Sequence, residues 1–282
     1  MSCNPDAIAT TGATHEIAAG VRRVVAPNAG PLTGPGTNTY VVGESAPVVI
    51  DPGPDDEQHL RRVVAACLAP PALLVCTHSH PDHSPGAAAL AAEFGIPVLG
   101  RPAPDDGYQD PSYAPTAMLE DGDRLPSDVG VLRVLHTPGH ASNHVCLLLE
   151  SAGLLFTGDH LMSGSTVVIL PPDGSMRDYL GSLERLLAEP LRALAPGHGS
   201  RISDAHAEIA RVIAHRLARE RRVVEALAAC GSATVEELLP DAYRDVPVAL
   251  HRLARHSLLA HLIKLVEDGR VRRDGDQFVP MR

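Results

Sequence analysis

The 282-residue sequence has no tryptophan, and aromatic residues make up only 3% of it, so a core has to be built mainly from Ala, Val, Leu and Ile. No stretch approaches the roughly 18 apolar residues that a membrane-spanning helix requires. The first residues show no basic start followed by an apolar run, which a secretory signal would need. Five cysteines at irregular spacing indicate free thiols rather than a disulfide framework. We therefore expect a cytoplasmic protein that makes no membrane contact.

Charge is distributed unevenly along the chain. The net charge is −10, but residues 1–200 carry 10 basic and 22 acidic groups, whereas residues 201–282 carry 14 and 12. Bound divalent cations would offset part of the acidity of the first segment, which by itself disfavours contact with a nucleic-acid backbone. The second segment is close to neutral and contains clusters of arginine, which permit contact with a polyanion.

Between Val21 and Gly199, short β-branched runs alternate with turn signals and Ala/Leu-rich stretches, which indicates sheets covered by helices. Strands are predicted at Val21–Ala26, Asn38–Val42, Val48–Asp51, Leu73–Thr77, Val98–Leu99, Val131–His136, His144–Leu149, Leu154–Thr157 and Ala193–Ala195. Helices are predicted at Asp56–Leu68, Gly86–Phe94 and Asp178–Leu187. The Pro/Asp/Gly-rich stretch Arg101–Pro115 is predicted to be a loop.

From Ser203 the pattern changes to helices. They are predicted at Ser203–Ala229, Thr234–Leu239 and Val248–Asp268, and a hairpin turning at Asp274–Gly275 follows them. Three helices and a hairpin are the outline of a winged helix. The sequence thus predicts one domain over residues 1–202 and a winged-helix-like domain over residues 203–282.

Three imidazoles and a carboxylate are concentrated in the run His78-Ser79-His80-Pro81-Asp82-His83, directly after an apolar stretch. Protonated imidazoles so close together would repel one another, and unpaired lone pairs in a strand-end pocket would cost desolvation energy. A divalent cation removes both problems because it binds neutral imidazole and ionised carboxylate. Since the two pairs of polar residues flank Pro81, the run favours two metals. Further candidate ligands follow other apolar strands beside glycines, and they are His140, Asp159 and His198.

In this order, Asp51, the HxHxDH run, His140, Asp159 and His198 resemble the five motifs of the metallo-β-lactamase superfamily. The resemblance implies an α/β fold, a four-layer αββα sandwich, here followed by the winged-helix-like domain. It also implies that one divalent metal is bound by His78, His80 and His140, and the other by Asp82, His83 and His198. Asp159 would bridge the metals and act in catalysis together with Asp82, and Asp51 would orient a ligand. Imidazole-rich ligands make zinc the expected metal, with Mn and Fe as alternatives.

The run Gly36-Thr37-Asn38-Thr39-Tyr40, His144 and the winged helix are together similar to the beta-lactamase-like protein 2 branch. Its members include a single-strand-specific endoribonuclease and glyoxalase-II-like hydrolases. We therefore expect a hydrolase whose metal-bridging hydroxide attacks phosphodiester bonds of single-stranded RNA. The alternative is a thioester or ester hydrolase of a small acyl conjugate, with the C-terminal domain as a lid or a homodimer contact. A non-hydrolytic, metal-sensing DNA-binding regulator is disfavoured by the complete ligand set.

Some polar residues near these motifs are harder to interpret. Asn38 and His160 are candidate substrate contacts, although a turn role for Asn38 and a structural role for His160 are the commoner cases. His136 and His144 are interpreted as hydrogen-bonded structural histidines. The arginines within 216–222 predict a solvated helix face, with RNA contact as the alternative.

Overall fold

The computed structural model describes residues 3–4 and 7–281, and the chain divides into two compact units. The first unit contains the chain up to Thr137 together with Asn143–Val167 and Glu189–His206. The second contains the chain from Ala207 onward together with the earlier segments Pro138–Ser142 and Val168–Ala188. The predicted domain boundary between residues 202 and 203 stays a prediction. The second unit also contains two segments from before residue 202, so the division into units does not follow a single boundary in the sequence.

One sheet of the first unit combines antiparallel and parallel pairing. Its strands, in order, are β1 (Thr14–Ala18), β2 (Val21–Val25), β3 (Asn38–Val42), β4 (Val48–Ile50), β5 (Leu73–Val75), β6 (Val98–Gly100) and β7 (Ala117–Met118). Neighbours from β1 to β4 pair antiparallel, and neighbours from β4 to β7 pair parallel. The carboxyl ends of β4 and β5 therefore lie side by side at one edge of the sheet.

A second sheet lies against the first. Its strands, in order, are β12 (Ala193–Pro196), β11 (Leu154–Gly158), β10 (Val145–Leu149), β9 (Gly130–His136) and β8 (Arg124–Ser127). β11 and β12 are parallel. Alternate residues of a strand point to one face, so Tyr40 and Ile50 of one sheet join Leu147 and Phe156 of the other in a single buried core cluster. The Tyr40 and Phe156 rings meet edge-on at a centroid distance of 5.0 Å.

Helices α1 (Glu57–Ala66) and α2 (Gly86–Phe94) cover the other face of the first sheet. Val41 and Val49 point to this face and cluster with Leu60 of α1 and Leu90 of α2. The Asp56 carboxylate caps α1 by accepting a hydrogen bond from the backbone N–H of His59 at 2.7 Å. The first unit is thus layered as helices, sheet and sheet.

The second unit is largely helical. Its elements are α3 (Met176–Leu186), most of α4 (Ala205–Cys230), α5 (Val235–Ala242), a 3₁₀ turn at Val248–Leu250, α6 (His251–Glu267), β13 (Val271–Asp274) and β14 (Gln277–Pro280). Leu238, Leu258 and Phe278 belong to its buried core. Thr234 and Glu237 form a capping box at the start of α5. Among the described residues, none of the helices combines the length and apolar character needed to cross a bilayer.

Most predicted elements occur within one to three residues of their predicted ends, and α2 has the predicted bounds. Strands β1, β7 and β8 are additions that the sequence pattern did not indicate. The C-terminal hairpin is confirmed, but Asp274 pairs with Gln277, so the turn residues are Gly275 and Asp276.

The expectation of a solvated arginine face on α4 is wrong for two of its members. Arg216 and Arg219 are only 3% and 5% exposed. Arg219 donates to Asp245 at 2.7 Å and lies over the Tyr243 ring at 4.1 Å, and Arg222 also pairs with Asp245, at 2.6 Å. Asp245 therefore offsets part of the charge of Arg219 and Arg222 inside the second unit, which leaves less of it for a polyanion.

Candidate metal centre

Strand ends place the predicted ligands. Asp51 follows β4 directly, the His78–His83 run begins three residues after β5, Asp159 follows β11 and His198 lies two residues beyond β12. β4 is parallel to β5, and β11 is parallel to β12. Because neighbouring parallel strands end at the same edge, residues that are distant in sequence come together there.

Among the described residues of the first unit, two groups of side chains bring potential ligand atoms within 4.8 Å of one another. The groups are His78, His83 and Asp159; and Asp82, His83 and His198. They contain five of the seven residues that the sequence predicts as metal ligands, and the His80 ring lies 4.6 Å from the His78 ring, measured between centroids. His140 belongs to the second unit, where its Nδ1 lies 2.8 Å from the carbonyl oxygen of Val168, and its role as a ligand stays a prediction.

His83 and His198 have defined tautomers in their neutral forms. His83 Nδ1 lies 2.9 Å from Asp51 Oδ2, and His198 Nδ1 lies 3.3 Å from the carbonyl oxygen of Gly36. Since these oxygens only accept hydrogen bonds, both Nδ1 atoms carry the proton and both Nε2 atoms present a lone pair. The two Nε2 atoms lie 3.3 Å apart.

Two carboxylates complete this cluster of acceptors. Asp82 Oδ2 lies 3.5 Å from His83 Nε2 and 3.2 Å from His198 Nε2, and Asp159 Oδ1 lies 3.3 Å and 3.2 Å from the same atoms. Four lone-pair donors therefore converge on one small volume. A proton or a metal cation between them removes their mutual repulsion, and the imidazole and carboxylate donor set suits a divalent metal.

The pKa shifts report the same negative potential. Burial alone would lower the pKa of His198, but Asp159 and Asp82 raise it to about 9. Burial also opposes ionisation of Asp82, yet the attraction of His83 and the hydrogen bond to His198 lower its pKa to about 2. The carboxylates therefore stay ionised at neutral pH and attract positive charge into the space between the rings.

Asp51 is a buried hub behind the cluster. Its Oδ1 accepts the backbone N–H of Thr77 at 2.7 Å, and its Oδ2 accepts both the Thr77 hydroxyl at 2.9 Å and His83 Nδ1–H at 2.9 Å. Asp51 has a φ of 49°, an unusual backbone conformation for a residue other than glycine. These contacts fix the orientation of the His83 ring, as expected of a residue that orients a ligand.

Sequence reasoning missed Thr37 and Asn28. The Thr37 hydroxyl donates to Asp82 Oδ2 at 3.4 Å, and the Asn28 side chain accepts the Thr37 backbone N–H and donates to its hydroxyl, both at 2.8 Å. Thr37 also forms an isolated β-bridge with His198. The Gly36-Thr37-Asn38 run was the available signal, but its contact with Asp82 depends on sheet pairing between distant segments.

Asn38 and His160, the two candidate substrate contacts, lie inside the first unit, and a contact of either residue with substrate stays a prediction. Both side chains belong to fully buried residues, with 0% exposure. The Asn38 amide donates to the carbonyl oxygens of Pro196 and Gly199, each at 2.8 Å, and so holds the loop that carries His198. The His160 ring lies beside the His144 ring at a centroid distance of 5.8 Å.

The loop predicted at Arg101–Pro115 supports the HxHxDH run. The backbone N–H of Asp110 donates to the Ser79 carbonyl at 2.7 Å, and the Ser79 hydroxyl donates to Gln109 at 2.5 Å. The Asp110 carboxylate accepts a hydrogen bond from the Ser84 hydroxyl at 2.7 Å. These bonds restrain the backbone on both sides of the clustered imidazoles.

Comparison with other proteins agrees with this geometry. Residues 32–198 match the metallo-beta-lactamase superfamily, and residues 234–278 match the beta-lactamase associated winged helix domain. An atrochrysone carboxyl ACP thioesterase of Aspergillus chevalieri is 33% identical over 266 residues, which cover 89% of this chain and 82% of the relative. A beta-lactamase-like protein 2 homolog of Caenorhabditis elegans is 29% identical over 259 residues, 88% of this chain and 85% of the relative.

Solved structures share the fold. A metallo-beta-lactamase family protein from Thermus thermophilus superposes with a TM-score of 0.78 at 24% identity, covering 94% of this chain and all of its own. A beta-lactamase domain protein from Burkholderia ambifaria superposes with a TM-score of 0.82 at 22% identity, covering 98% of this chain and 96% of its own. The matched residues, the fold and the clustered His and Asp side chains agree: the chain belongs to the metallo-beta-lactamase superfamily, as a metal-dependent hydrolase with a C-terminal winged helix domain.

Proposed function

We propose that this protein is a two-metal hydrolase of an acyl thioester. The proposed metal ligands are the predicted set His78, His80, Asp82, His83, His140, Asp159 and His198, with Asp159 bridging. The observation that carries the metal site is the convergence of His83 Nε2, His198 Nε2 and Asp159 Oδ1 within 3.3 Å of one another. Such a set of acceptors is suited to a cation and to little else.

The side chains around the cluster prepare it for catalysis. When bound, two divalent cations supply Lewis-acid polarisation of the scissile bond and an ionised water near neutral pH. Asp51 holds the His83 ring through Nδ1, and Thr37 donates to Asp82. Fixed hydrogen bonds of this kind require little reorganisation during the reaction, because their geometry exists before substrate binds.

The choice of a thioester depends on relatives and on charge. A relative that aligns with 89% of this chain is named as an ACP thioesterase. The excess of acidic groups in residues 1–200 disfavours a polyanionic substrate near the site. In the second unit, Arg219 and Arg222 are both engaged by Asp245. These observations favour a small acyl conjugate over the single-stranded RNA expected from the sequence.

The test is turnover of acyl-pantetheine thioesters, which carry no phosphate, by metal-loaded protein, measured as release of free thiol. We expect Asp159→Ala to lower kcat/KM by more than about 100-fold. Loss of a residue that supports a ligand typically lowers activity by about 10–100-fold, and loss of a proposed direct ligand should lower it further. Asp55→Ala, at an exposed carboxylate, is the matched control and should retain wild-type activity. Absence of thiol release across acyl groups of different length, from protein that holds two metal equivalents, would overturn the thioesterase proposal.

RNA is a second candidate because residues 234–278 match a winged helix domain and the exposed residues Arg252 and Arg272 lie in its α6 and β13. The decisive measurement is cleavage of a labelled single-stranded RNA at increasing salt. Cleavage that falls steeply with salt and disappears in Asp159→Ala would establish RNA as the substrate and replace the thioester proposal.

Zinc is the metal we propose for the site, because imidazole nitrogens dominate its ligands. A cytoplasmic location and a homodimer are the further predictions from the sequence. Metal analysis of purified protein, cell fractionation and light scattering of the full chain test them separately.

A further inference from the structure

His144 lies directly before β10, with its ring beside that of His78, and is completely buried. It is separated from Asp159 by 15 residues, yet its Nε2 lies 3.2 Å from the backbone nitrogen of Asp159. Its Nδ1 lies 3.0 Å from the hydroxyl of Thr137. Both ring nitrogens therefore have partners inside the first unit.

The direction of these hydrogen bonds follows from chemistry. The backbone N–H of Asp159 can only donate, so His144 Nε2 accepts, and the proton of a neutral ring is on Nδ1 and points to Thr137. Asp159 begins the turn after β11, where its N–H is beyond the end of the strand ladder. A buried N–H without an acceptor costs about 1–3 kcal/mol, so the imidazole stabilises the backbone from which the Asp159 carboxylate projects.

The surroundings of the ring are built for this contact. His144 lies 5.1 Å from the His78 ring and 5.8 Å from the His160 ring, measured between centroids. Gly158 is required beside it, since a Cβ at that position would come within 2.7 Å of His144 Nε2 and 2.4 Å of the Thr77 hydroxyl. The ring thus touches the His78 ring on one side and the Asp159 backbone at its edge.

We propose that His144 is a positioning residue that sets the place of the Asp159 carboxylate through the backbone N–H of Asp159. The inference rests on the proposed two-metal site. It assigns the ring a role in metal affinity beyond that of a hydrogen-bonded structural histidine, which was the interpretation from sequence.

Two polar substitutions of His144 distinguish the roles of its two ring nitrogens. The side-chain amide of Gln ends as many bonds from Cβ as histidine Nε2, whereas the amide of Asn matches Nδ1. His144→Gln therefore keeps an acceptor for Asp159 N–H, and His144→Asn keeps only the contact with Thr137. Binding of zinc chloride is measured by competition with a chromophoric chelator, and the fold by circular dichroism. The same substitutions at His15, a half-buried histidine on β1, are the controls.

We expect His144→Asn to weaken the binding of one metal equivalent by about 10–100-fold and His144→Gln to stay within about threefold of wild type. The His15 variants should bind zinc as wild type does. Equal affinities in folded Asn and Gln variants, or a loss confined to Gln, would overturn the role of Nε2. If the Asn variant does not fold, the Gln variant alone decides. A tenfold loss of zinc affinity in folded His144→Gln would then overturn the role of Nε2, and wild-type zinc affinity in His144→Gln would support it. Wild type that takes up fewer than two equivalents would instead refute the two-metal site itself.

Discussion

His83 and His198 are 115 residues apart in the chain, and their Nε2 atoms lie 3.3 Å from each other. Each ring is held from behind, His83 by the Asp51 carboxylate and His198 by the Gly36 carbonyl. Neither ring can rotate away without breaking its Nδ1 hydrogen bond. The fold therefore holds two lone pairs face to face beside two carboxylates, and this arrangement leads to the first prediction.

Removal of metal should destabilise the protein. Without a cation, the clustered acceptors have to bind protons or repel one another, so added metal stabilises the folded state. We expect the free energy of unfolding to rise by about 3 kcal/mol when free metal is about 100-fold above its dissociation constant. Chemical denaturation with chelator and with zinc measures the effect, and Asp159→Asn is expected to show a much smaller response. Identical curves with and without zinc in wild type would contradict the prediction.

Asp51→Asn should weaken metal binding while the fold is retained. The Asn side chain has an NH2 donor in place of one carboxylate oxygen, so this donor faces either the backbone N–H of Thr77 or Nδ1–H of His83. In both cases the support of the His83 ring is weakened. We expect metal affinity to fall about 10–100-fold, as measured by chelator competition. Asp55→Asn, at an exposed carboxylate four residues further along the chain, is the control and should leave the affinity unchanged.

Gly158→Ala and Gly181→Ala should act in opposite directions. A Cβ at Gly158 meets the Thr77 hydroxyl at 2.4 Å, and the residue has a φ of 44°, whereas a Cβ at Gly181 meets nothing within 4 Å. We expect the first change to lower the free energy of unfolding by about 1–3 kcal/mol. The second replaces glycine inside α3 and should raise it by about 0.5–1 kcal/mol. Denaturant unfolding of both variants measures these free energies. An unchanged free energy of unfolding in Gly158→Ala would contradict the prediction and show that the turn before Asp159 relaxes easily.

His261 should make the protein less stable in acid. Burial, followed by the positive charges of Arg216, Lys264, Arg219 and His215, holds the pKa of His261 well below its ordinary value. In the unfolded chain this imidazole takes up a proton below about pH 6.5, while in the folded protein it stays neutral. Its contribution therefore favours the folded state less and less as the pH falls below about 6.5.

The size of this effect can be isolated by substitution. At pH 5 the uptake of a proton by the unfolded chain amounts to a loss of up to about 2 kcal/mol. We expect His261→Leu to narrow the difference between the unfolding free energies at pH 7.5 and pH 5, measured in chelator so that metal binding does not contribute. His15→Leu controls for the loss of a half-buried histidine, and an unchanged pH dependence in His261→Leu would show that His261 titrates normally.

The amino-acid sequence alone determined the ligand types and their strand-end positions. Imidazoles crowded between residues 78 and 83 have few explanations other than a metal, and short β-branched runs between turn signals located most of the core strands. Local signals also located helix ends, as at Thr234 and Glu237. These features depend on neighbours in the chain, and local periodicity and capping chemistry encode them directly.

Only the tertiary structure decided which groups stand behind the ligands. Asp51 meets His83, Thr37 meets Asp82 and His144 meets the Asp159 backbone. Each contact joins segments brought together by strand pairing and sheet packing, so no local pattern could reveal it. The same packing buried Asn38 and His160 and turned Arg219 toward Asp245. A sequence pattern indicates that a side chain is polar, but the surrounding fold decides whether that side chain meets solvent, substrate or a buried partner.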